Sequence, residues 1–353
     1  MPDMPDRPAT VPTMRAVRFH TYGEPAEVLR LETAPVPEPG PGRVRVAVHA
    51  CGLAPADWAL CRGLFAGDLP RGVGCDVAGI VEAVGEGVTG VAVGDRVFGT
   101  ADYAGRPSAG AADRAVMDHW FAVPEGLDLV RAAALPMALS TAYWHLARLG
   151  LDAGRTLLVN GAGTTIGFAA VQIALHRGLR VIATAGDTYA GRLKDLGATV
   201  TAYGAGLADR IAALGDTPVG TPIDAPVGTP IDAPVGTPVD APVDIVFDTA
   251  PPNGALPELV RAAGGDPRRV LTCSDLAAAA ELGVRDSFHE DPAAFTDEAR
   301  FGHFPEFARL AADGKFTVPV AGTFPLDQWR TALEISESGH ARGKLLLLPG
   351  VER

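Results

Sequence analysis

Apolar and polar residues alternate strictly over 43–49 (RVRVAVH) and again over 14–19 (MRAVRF), the period of two expected of half-buried strands; the second segment reads as an edge strand. Gly-punctuated apolar runs follow at 77–84 and 95–98, and helical periodicity is nearly absent before residue 127. Many short strands with turns between them predict a small barrel or sandwich.

From Leu127 the period changes. Apolar residues fall at helical spacing over 132–135 and 138–149, interrupted by Pro136. A strand-like run at 156–160 leads through a Gly-rich turn into a helix over 166–177, stopped by Gly178. A strand at 180–184, a helix at 190–196 and a strand at 199–203 continue the alternation, and further strands are expected at 244–248 and 269–273. Strand and helix in strict succession predict a parallel, doubly wound sheet. The chain ends on strand-like segments at 318–320 and 344–348 with a helix over 326–338 between them, suited to completing the first sheet. That order describes a discontinuous two-domain protein with a cleft between its lobes.

Between the doubly wound strands lies a repeat, GTPIDAPV, GTPIDAPV and GTPVDAPV over 220–243. Its prolines remove backbone donors and fix φ, so the expectation is a solvent-exposed surface insertion and not a core element.

Composition narrows the function. With 30 basic against 42 acidic residues the formal charge is −12, which opposes nucleic acid and anionic membrane surfaces as partners. No run approaches the roughly 18–20 apolar residues a bilayer span requires, and the first thirteen residues lack the apolar stretch of a secretory signal. A cytoplasmic protein is expected. Cys51, Cys61, Cys75 and Cys273 have neither CxxC spacing nor disulfide density and read as reduced, mostly buried thiols.

The segment 159–174 (VNGAGTTIGFAAVQIA) carries the chemistry. Gly161, Gly163 and Gly167 give GxGxxxG, one residue longer than the dinucleotide fingerprint, between a strand and a helix. Such a turn brings backbone amides and a helix N-terminus to a pyrophosphate. The next strand ends Thr184, Ala185, Gly186 with no carboxylate at its tip, so a ribose 2′-phosphate meets no repulsion there. Thr184, Tyr189, Arg192 and Lys194 are candidates to hold it, although Arg192 and Lys194 also suit a solvated helix face and Asp187 argues the other way. The pattern favours NADPH over NADH.

With these residues in place the chain resembles the medium-chain dehydrogenase/reductase superfamily, in its zinc-free quinone oxidoreductase and enoyl reductase branch. CGLAPADW (51–58), GVGCDVAGIVEAVGEGV (72–88), VGDRVFG (93–99), AAALPMALSTAYWHL (132–146), LGATV (196–200), DIVFDTA (244–250) and ARGKLLL (341–347) occur in that order with the Gly-rich turn. The resemblance implies an α/β protein: a Rossmann doubly wound parallel sheet plus a discontinuous GroES-like β-rich catalytic domain. The implied division is a tail 1–13, the catalytic domain 14–134, a Rossmann NADP-binding domain 135–298 with the Pro-rich insertion 216–243, and 299–353 completing the catalytic domain. Zinc ligands of metal-dependent relatives fall where this chain has Ala54, Cys75 and Met137, and only one of these three could bind metal. No zinc is expected. Thr141 looks like the residue beside the nicotinamide, though it also suits a helix threonine bonding its own backbone. Thr249, Ala250 and Thr272 resemble the border of ribose and nicotinamide, while Thr164, Thr165 and Ile166 lie in the pyrophosphate turn. Thr164 and Thr165 depart from the glycines usual there, and Ala54 with Trp58 or Ala59 departs from the usual Asn and Tyr.

The expected reaction is hydride transfer from NADPH to a quinone, enone or enoyl substrate. Asp57, Tyr103 and His119 are candidate proton donors that also suit structural roles; Ala54, Trp58 and Met137 are expected to line an apolar or aromatic substrate. A homodimer built by pairing a strand at 287–290 across a two-fold axis is expected by analogy. A noncatalytic NADPH-binding redox sensor or scaffold and a zinc-independent alcohol dehydrogenase remain as alternatives.

Overall fold

The computed structural model describes residues 11–102, 107–214, 243–286 and 296–350. Tyr103, the strand expected at 287–290 and nearly all of the repeat lie outside these residues. Two compact units form, Met1–Pro136 with Val320–Arg353, and Met137–Pro319.

In the first unit β1 (Thr13–Phe19) is followed by α1 (Pro25–Val28), β2 (Arg30–Pro35), β3 (Val44–Leu53), α2 (Pro55–Cys61), β4 (Arg71–Gly72), β5 (Asp76–Val84), β6 (Arg96–Ala101), β7 (Arg114–Ala122) and α3 (Leu129–Ala133). The second unit carries α4 (Pro136–Arg148), β8 (Thr156–Asn160), α5 (Thr165–His176), β9 (Arg180–Thr184), α6 (Asp187–Asp195), β10 (Thr199–Thr201), α7 (Leu207–Ala213), β11 (Ile245–Asp248), α8 (Leu256–Ala262), β12 (Val270–Thr272), α9 (Leu276–Leu282), β13 (Arg285–Asp286), α10 (Asp297–Phe301) and α11 (Phe304–Ala312). The chain returns through β14 (Val320–Pro325), α12 (Trp329–Glu337) and β15 (Lys344–Leu348).

Strand β1 is not an edge. It pairs with β2 along most of its length and with β4 at Arg18 and Phe19, and its last four residues are all buried, so alternation stops where the second partner arrives. The larger sheet of this unit runs β14-β15-β3-β5-β6-β7, and an added β3–β7 pairing closes β3, β5, β6 and β7 into a barrel. Residues of β3, β5, β6 and β7 pack inside with Trp58 of α2 and with Trp329 and Leu333 of α12. Helix α2 was not legible in the first stretch because seven residues carry too few turns for a period to show.

The second unit holds a six-stranded sheet in the order β10-β9-β8-β11-β12-β13, parallel at every pairing. Numbered within the unit this is 3-2-1-4-5-6, the doubly wound arrangement, whose strand order reverses between β8 and β11. Ligands of such sheets bind at the carboxyl ends of the strands beside that reversal.

The second crossing differs from expectation, coming at residue 320 and not at 299. Phe304, Phe307, Ala308 and Ala311 form the buried stripe of α11, and Phe307 meets Tyr143 and Phe316 at ring distances of 5.9 and 5.0 Å, so this helix belongs to the second unit's core. The strand expected at 318–320 begins only at Val320 and runs to Pro325, where β15 supplies a parallel partner. Helix α6 starts at Asp187, three residues before its expected first turn, because polar Asp187 and Thr188 occupy solvent-facing positions that carry no apolar signal.

Candidate active site

Every residue of β8 is buried, and the chain leaves it through Gly161 at φ +76°, a left-handed conformation that a side chain resists. A Cβ at Gly161 would stand 2.6 Å from Ala250 N, so the turn lies directly against the end of β11. Gly167 meets a second limit: its Cβ would stand 2.3 Å from Gly161 O and 2.6 Å from Thr249 Oγ1. The first and third glycines thus serve the tight turn and the close seating of α5. Gly163 is less confined, with only Tyr189 Cδ2 at 3.3 Å from its would-be Cβ.

Thr164 caps α5, its hydroxyl accepting from Gly167 N at 2.9 Å. Thr249 Oγ1 donates to the carbonyls of Asn160 and Gly161 at 3.0 and 3.1 Å, so the 3.0 Å contact between the two hydroxyls runs from Thr164 to Thr249. The threonine at the departure from the glycine pattern is therefore spent on the cap. Thr165 and Ile166 open the helix, half-buried, with the amino end of twelve residues behind them.

Thr184 does not face a ribose phosphate. It is fully buried, donates to Asn160 Oδ1 at 2.7 Å and accepts from Gly161 N at 3.0 Å, so both functions of its hydroxyl are used inside the sheet. Arg192 and Lys194 are exposed on α6, and the Arg192 guanidinium lies 5.1 Å from the buried Phe168 ring, on which half-buried Tyr189 also packs at 5.5 Å. Tyr203 escaped the sequence reading. It is 65% exposed, and a Cβ at Gly186 would stand 3.6 Å from its ring, which sets an aromatic face beside the end of β9. The signal available was a lone aromatic just past a strand tip.

Thr249, Ala250 and Thr272 gather at the ends of β11 and β12 and are buried. On α4, half-buried Thr141 directs its hydroxyl to Met137 Sδ at 3.7 Å. His145, one turn on, stacks against Phe247 of β11 at 5.1 Å.

Comparison with known proteins matches two family models to this chain. The alcohol dehydrogenase GroES-like domain model matches residues 40–125, and a model described as zinc-binding dehydrogenase matches 231–347. Quinone oxidoreductase of Homo sapiens is 40% identical over 179 residues, 49% of this chain and 53% of that protein. The chain belongs to the medium-chain dehydrogenase/reductase superfamily. It is similar to curated quinone oxidoreductases and spans about half the length of those it matches. The solved quinone oxidoreductase of Coxiella burnetii superposes with TM-score 0.73 at 25% identity, covering 96% of this chain and 99% of that one. A mycobacterial protein complexed with NADPH shares the fold with TM-score 0.72 at 24% identity, covering 95% of this chain and all of that one.

The first unit bears on two expectations for this family member. Asp57, a candidate proton donor, is buried, with Ala54 N donating to one carboxylate oxygen at 2.8 Å and Gly74 N to the other at 2.7 Å, so it ties the start of α2 to the strand region beyond. Trp58 is no substrate wall: its ring lies in the barrel core and its indole N–H donates to Ser336 Oγ at 2.8 Å. His119 is half-buried on β7 with Asp118 3.3 Å away, and Ala54 is the half-buried N-cap position of α2. All four thiols are free. Burial pushes the Cys61 and Cys273 thiols up to about 12 and raises those of Cys51 and Cys75 well above the ordinary thiol value, which leaves none of them a thiolate at neutral pH. Among the described residues no three His, Cys, Asp or Glu side chains gather as a metal site, and no helix is long and apolar enough to cross a membrane.

Burial outweighs the two backbone donors at Asp57 and raises its pKa from 3.8 to about 6. The folded value lies above the unfolded one, so stability linked to the protonated acid is complete below pH 3.8 and lost as pH rises through about 6. Asp57→Asn sets an amide N–H against a backbone N–H and is expected to cost about 1–3 kcal/mol at pH 7. Melting curves across pH should show the wild-type advantage over Asp57→Asn shrinking between pH 3.8 and about 6, then staying flat; an advantage that grows with pH would contradict this assignment.

Proposed function

We propose that this chain is an NADPH-dependent reductase of quinones or activated C=C bonds that works without zinc. The observation that carries the reading is the left-handed Gly161 turn, closed on Ala250 and capped by Thr164, at the strand-order reversal of a parallel sheet. Residues 161–167 would hold the pyrophosphate through backbone amides and the amino end of α5. Beyond β9, Arg192 would pair with the 2′-phosphate and exposed Tyr203 would flank the adenosine, with Tyr189 and Lys194 nearby. Thr141 and Met137 would border the nicotinamide, with Thr249, Ala250 and Thr272 fixing the backbone beneath the ribose.

When bound, a reduced nicotinamide supplies the hydride that an electron-poor carbon or quinone accepts. This chain's residues would bind and orient the partners, and the accompanying proton would come from water or from a weak acid such as His119, Asp57 being bonded on both oxygens. Zinc independence rests on Ala54 and Met137, an alanine without a donor atom and a thioether, standing at positions that resemble ligand positions of metal-dependent relatives. Dimerisation by extending the sheet past β13, which stands at its edge, and residence in the cytoplasm belong to the same proposal.

Calorimetric titration is expected to show NADPH binding at least ten-fold more tightly than NADH, and Arg192→Ala should narrow that ratio several-fold by removing one charged bond. Purified protein with NADPH and a panel of quinones and enones should oxidise the cofactor above blank. Tight binding without turnover across the panel favours a sensor or scaffold, and reduction of the oxidised cofactor by simple alcohols favours an alcohol dehydrogenase.

A further inference from the structure

A chain of buried hydrogen bonds crosses the carboxyl ends of four strands beneath the glycine-rich turn. At its centre Asp248 Oδ1 accepts from Asn160 Nδ2 at 2.8 Å and from Ala250 N at 3.2 Å, while Oδ2 accepts from Thr272 Oγ1 at 2.8 Å. Asn160 Oδ1 accepts from the Thr184 hydroxyl at 2.7 Å, and Thr184 Oγ1 accepts from Gly161 N at 3.0 Å. Thr272 Oγ1 also accepts from Ser274 N and Asp275 N at 3.3 and 3.2 Å, which anchors the loop after β12. Asp248, Asn160, Thr184 and Thr272 are all at most 3% exposed.

Direction is what a carboxylate adds. A side-chain amide can turn either way, but a carboxylate only accepts, so Asn160 must present its N–H₂ to Asp248 and its oxygen to Thr184. Thr184 must then donate to Asn160, which leaves its lone pair for the Gly161 N–H. A neutral amide at 248 would set no such order. Burial pushes the Asp248 carboxyl up while the bonds from Asn160, Thr272 and Ala250 N pull it back; the ionisable groups coupled to it are Asp275 and the half-buried Cys273 thiol. Three donors converging on two oxygens favour the ionised form.

We propose that Asp248 is the positioning residue of the cofactor site: its carboxylate orders the bonds through Asn160 and Thr184 to Gly161 N and so holds the turn in the shape that receives the dinucleotide's phosphates. The proposal rests on the cofactor reading above. The bonds traced from Asp248 end at Gly161, Ala250 and the loop after β12, so a ligand held only beyond β9, at Arg192 and Tyr203, is indifferent to Asp248.

The full-length chain is compared as wild type, Asp248→Asn and Thr184→Val; the second variant cuts the chain at its last link and leaves the carboxylate in place. Titrations with NADPH and with 2′-AMP, which has no pyrophosphate, are combined with hydrogen exchange of 161–167 in the cofactor-free protein. Both variants are expected to weaken NADPH about ten-fold, the size of one lost buried hydrogen bond, with 2′-AMP affinity unchanged and melting temperature within about 3 °C of wild type. Exchange over 161–167 should be faster in both. Unchanged NADPH affinity, or equal loss of NADPH and 2′-AMP together with a lower melting temperature, overturns the proposal and reduces Asp248 to a structural acid. Wild type that binds neither NADPH nor NADH sinks the cofactor reading instead; exchange alone then decides, with faster exchange in both variants supporting the positioning role and unchanged exchange overturning it.

Discussion

Gly167→Ala is expected to abolish tight dinucleotide binding and to lower stability by about 1–3 kcal/mol, the usual cost of forcing a methyl into a packed site. The added Cβ would stand 2.3 Å from Gly161 O, 2.6 Å from Thr249 Oγ1 and 2.9 Å from Ala162 Cα. Two of those atoms are backbone and cannot swing aside. The Thr249 hydroxyl is held by Asn160, Gly161 and Thr164, so it is not free to give way either. Relief must come from α5 backing off the turn, which moves the helix amino end and the Gly167 N–H away from Thr164 and from the phosphate position together. A displacement near 1 Å at a positioning element costs on the order of 100-fold in kcat/KM, and a comparable loss of NADPH affinity is expected by calorimetry. Gly163→Ala is the control. Its only close neighbour is the ring edge of Tyr189 at 3.3 Å, and it should bind NADPH within a few-fold of wild type. Equal binding by both variants would mean that the seating of α5 on the turn does not set affinity.

Lys344→Met is expected to produce the largest loss of stability, about 3–5 kcal/mol, because it removes the ammonium that faces a buried carboxylate. Lys344 Nζ and Asp76 Oδ2 lie 2.5 Å apart, with side chains 3% and 1% exposed. The pair ties β15 to β5 across the intervening β3, where only a glycine leaves room: a Cβ at Gly52 would stand 2.6 Å from Lys344 Cε and 3.1 Å from Asp76 Cβ. It therefore joins the chain's last strand to a barrel strand formed some 270 residues earlier, a closure local sequence cannot provide. Denaturant melts should show the midpoint of Lys344→Met falling with its slope unchanged. Adding Asp76→Asn should restore at least half of the loss, since the double variant buries no lone charge. A double variant no more stable than Lys344→Met would show that packing around the lysine stem, and not the charge, carries the effect.

The sequence alone located much of this molecule. Strands at 156–160, 180–184 and 344–348 appear at those limits, because each is a short apolar run whose ends are marked by turn residues or glycine. The turn at Gly161 was legible for the same reason: glycine advertises a conformation that other residues avoid, and the advertisement is local. What the sequence could not show is which partner a polar or apolar group finds. Asp57 and Trp58 read as candidates for the substrate site, yet one is bound by Gly74 N, 17 residues on, and the other by Ser336, 278 residues on. Thr184 read as a phosphate ligand until its neighbour on β8 claimed its hydroxyl, and Tyr203, unremarkable in sequence, is set by the end of β9 beside Gly186. Period and turn chemistry express what each residue needs, burial or a left-handed backbone, and are fixed by neighbours along the chain. Whether a buried carboxylate caps a helix, orders a turn or meets a lysine depends on donors tens to hundreds of residues away, and only the folded chain brings those within hydrogen-bonding reach.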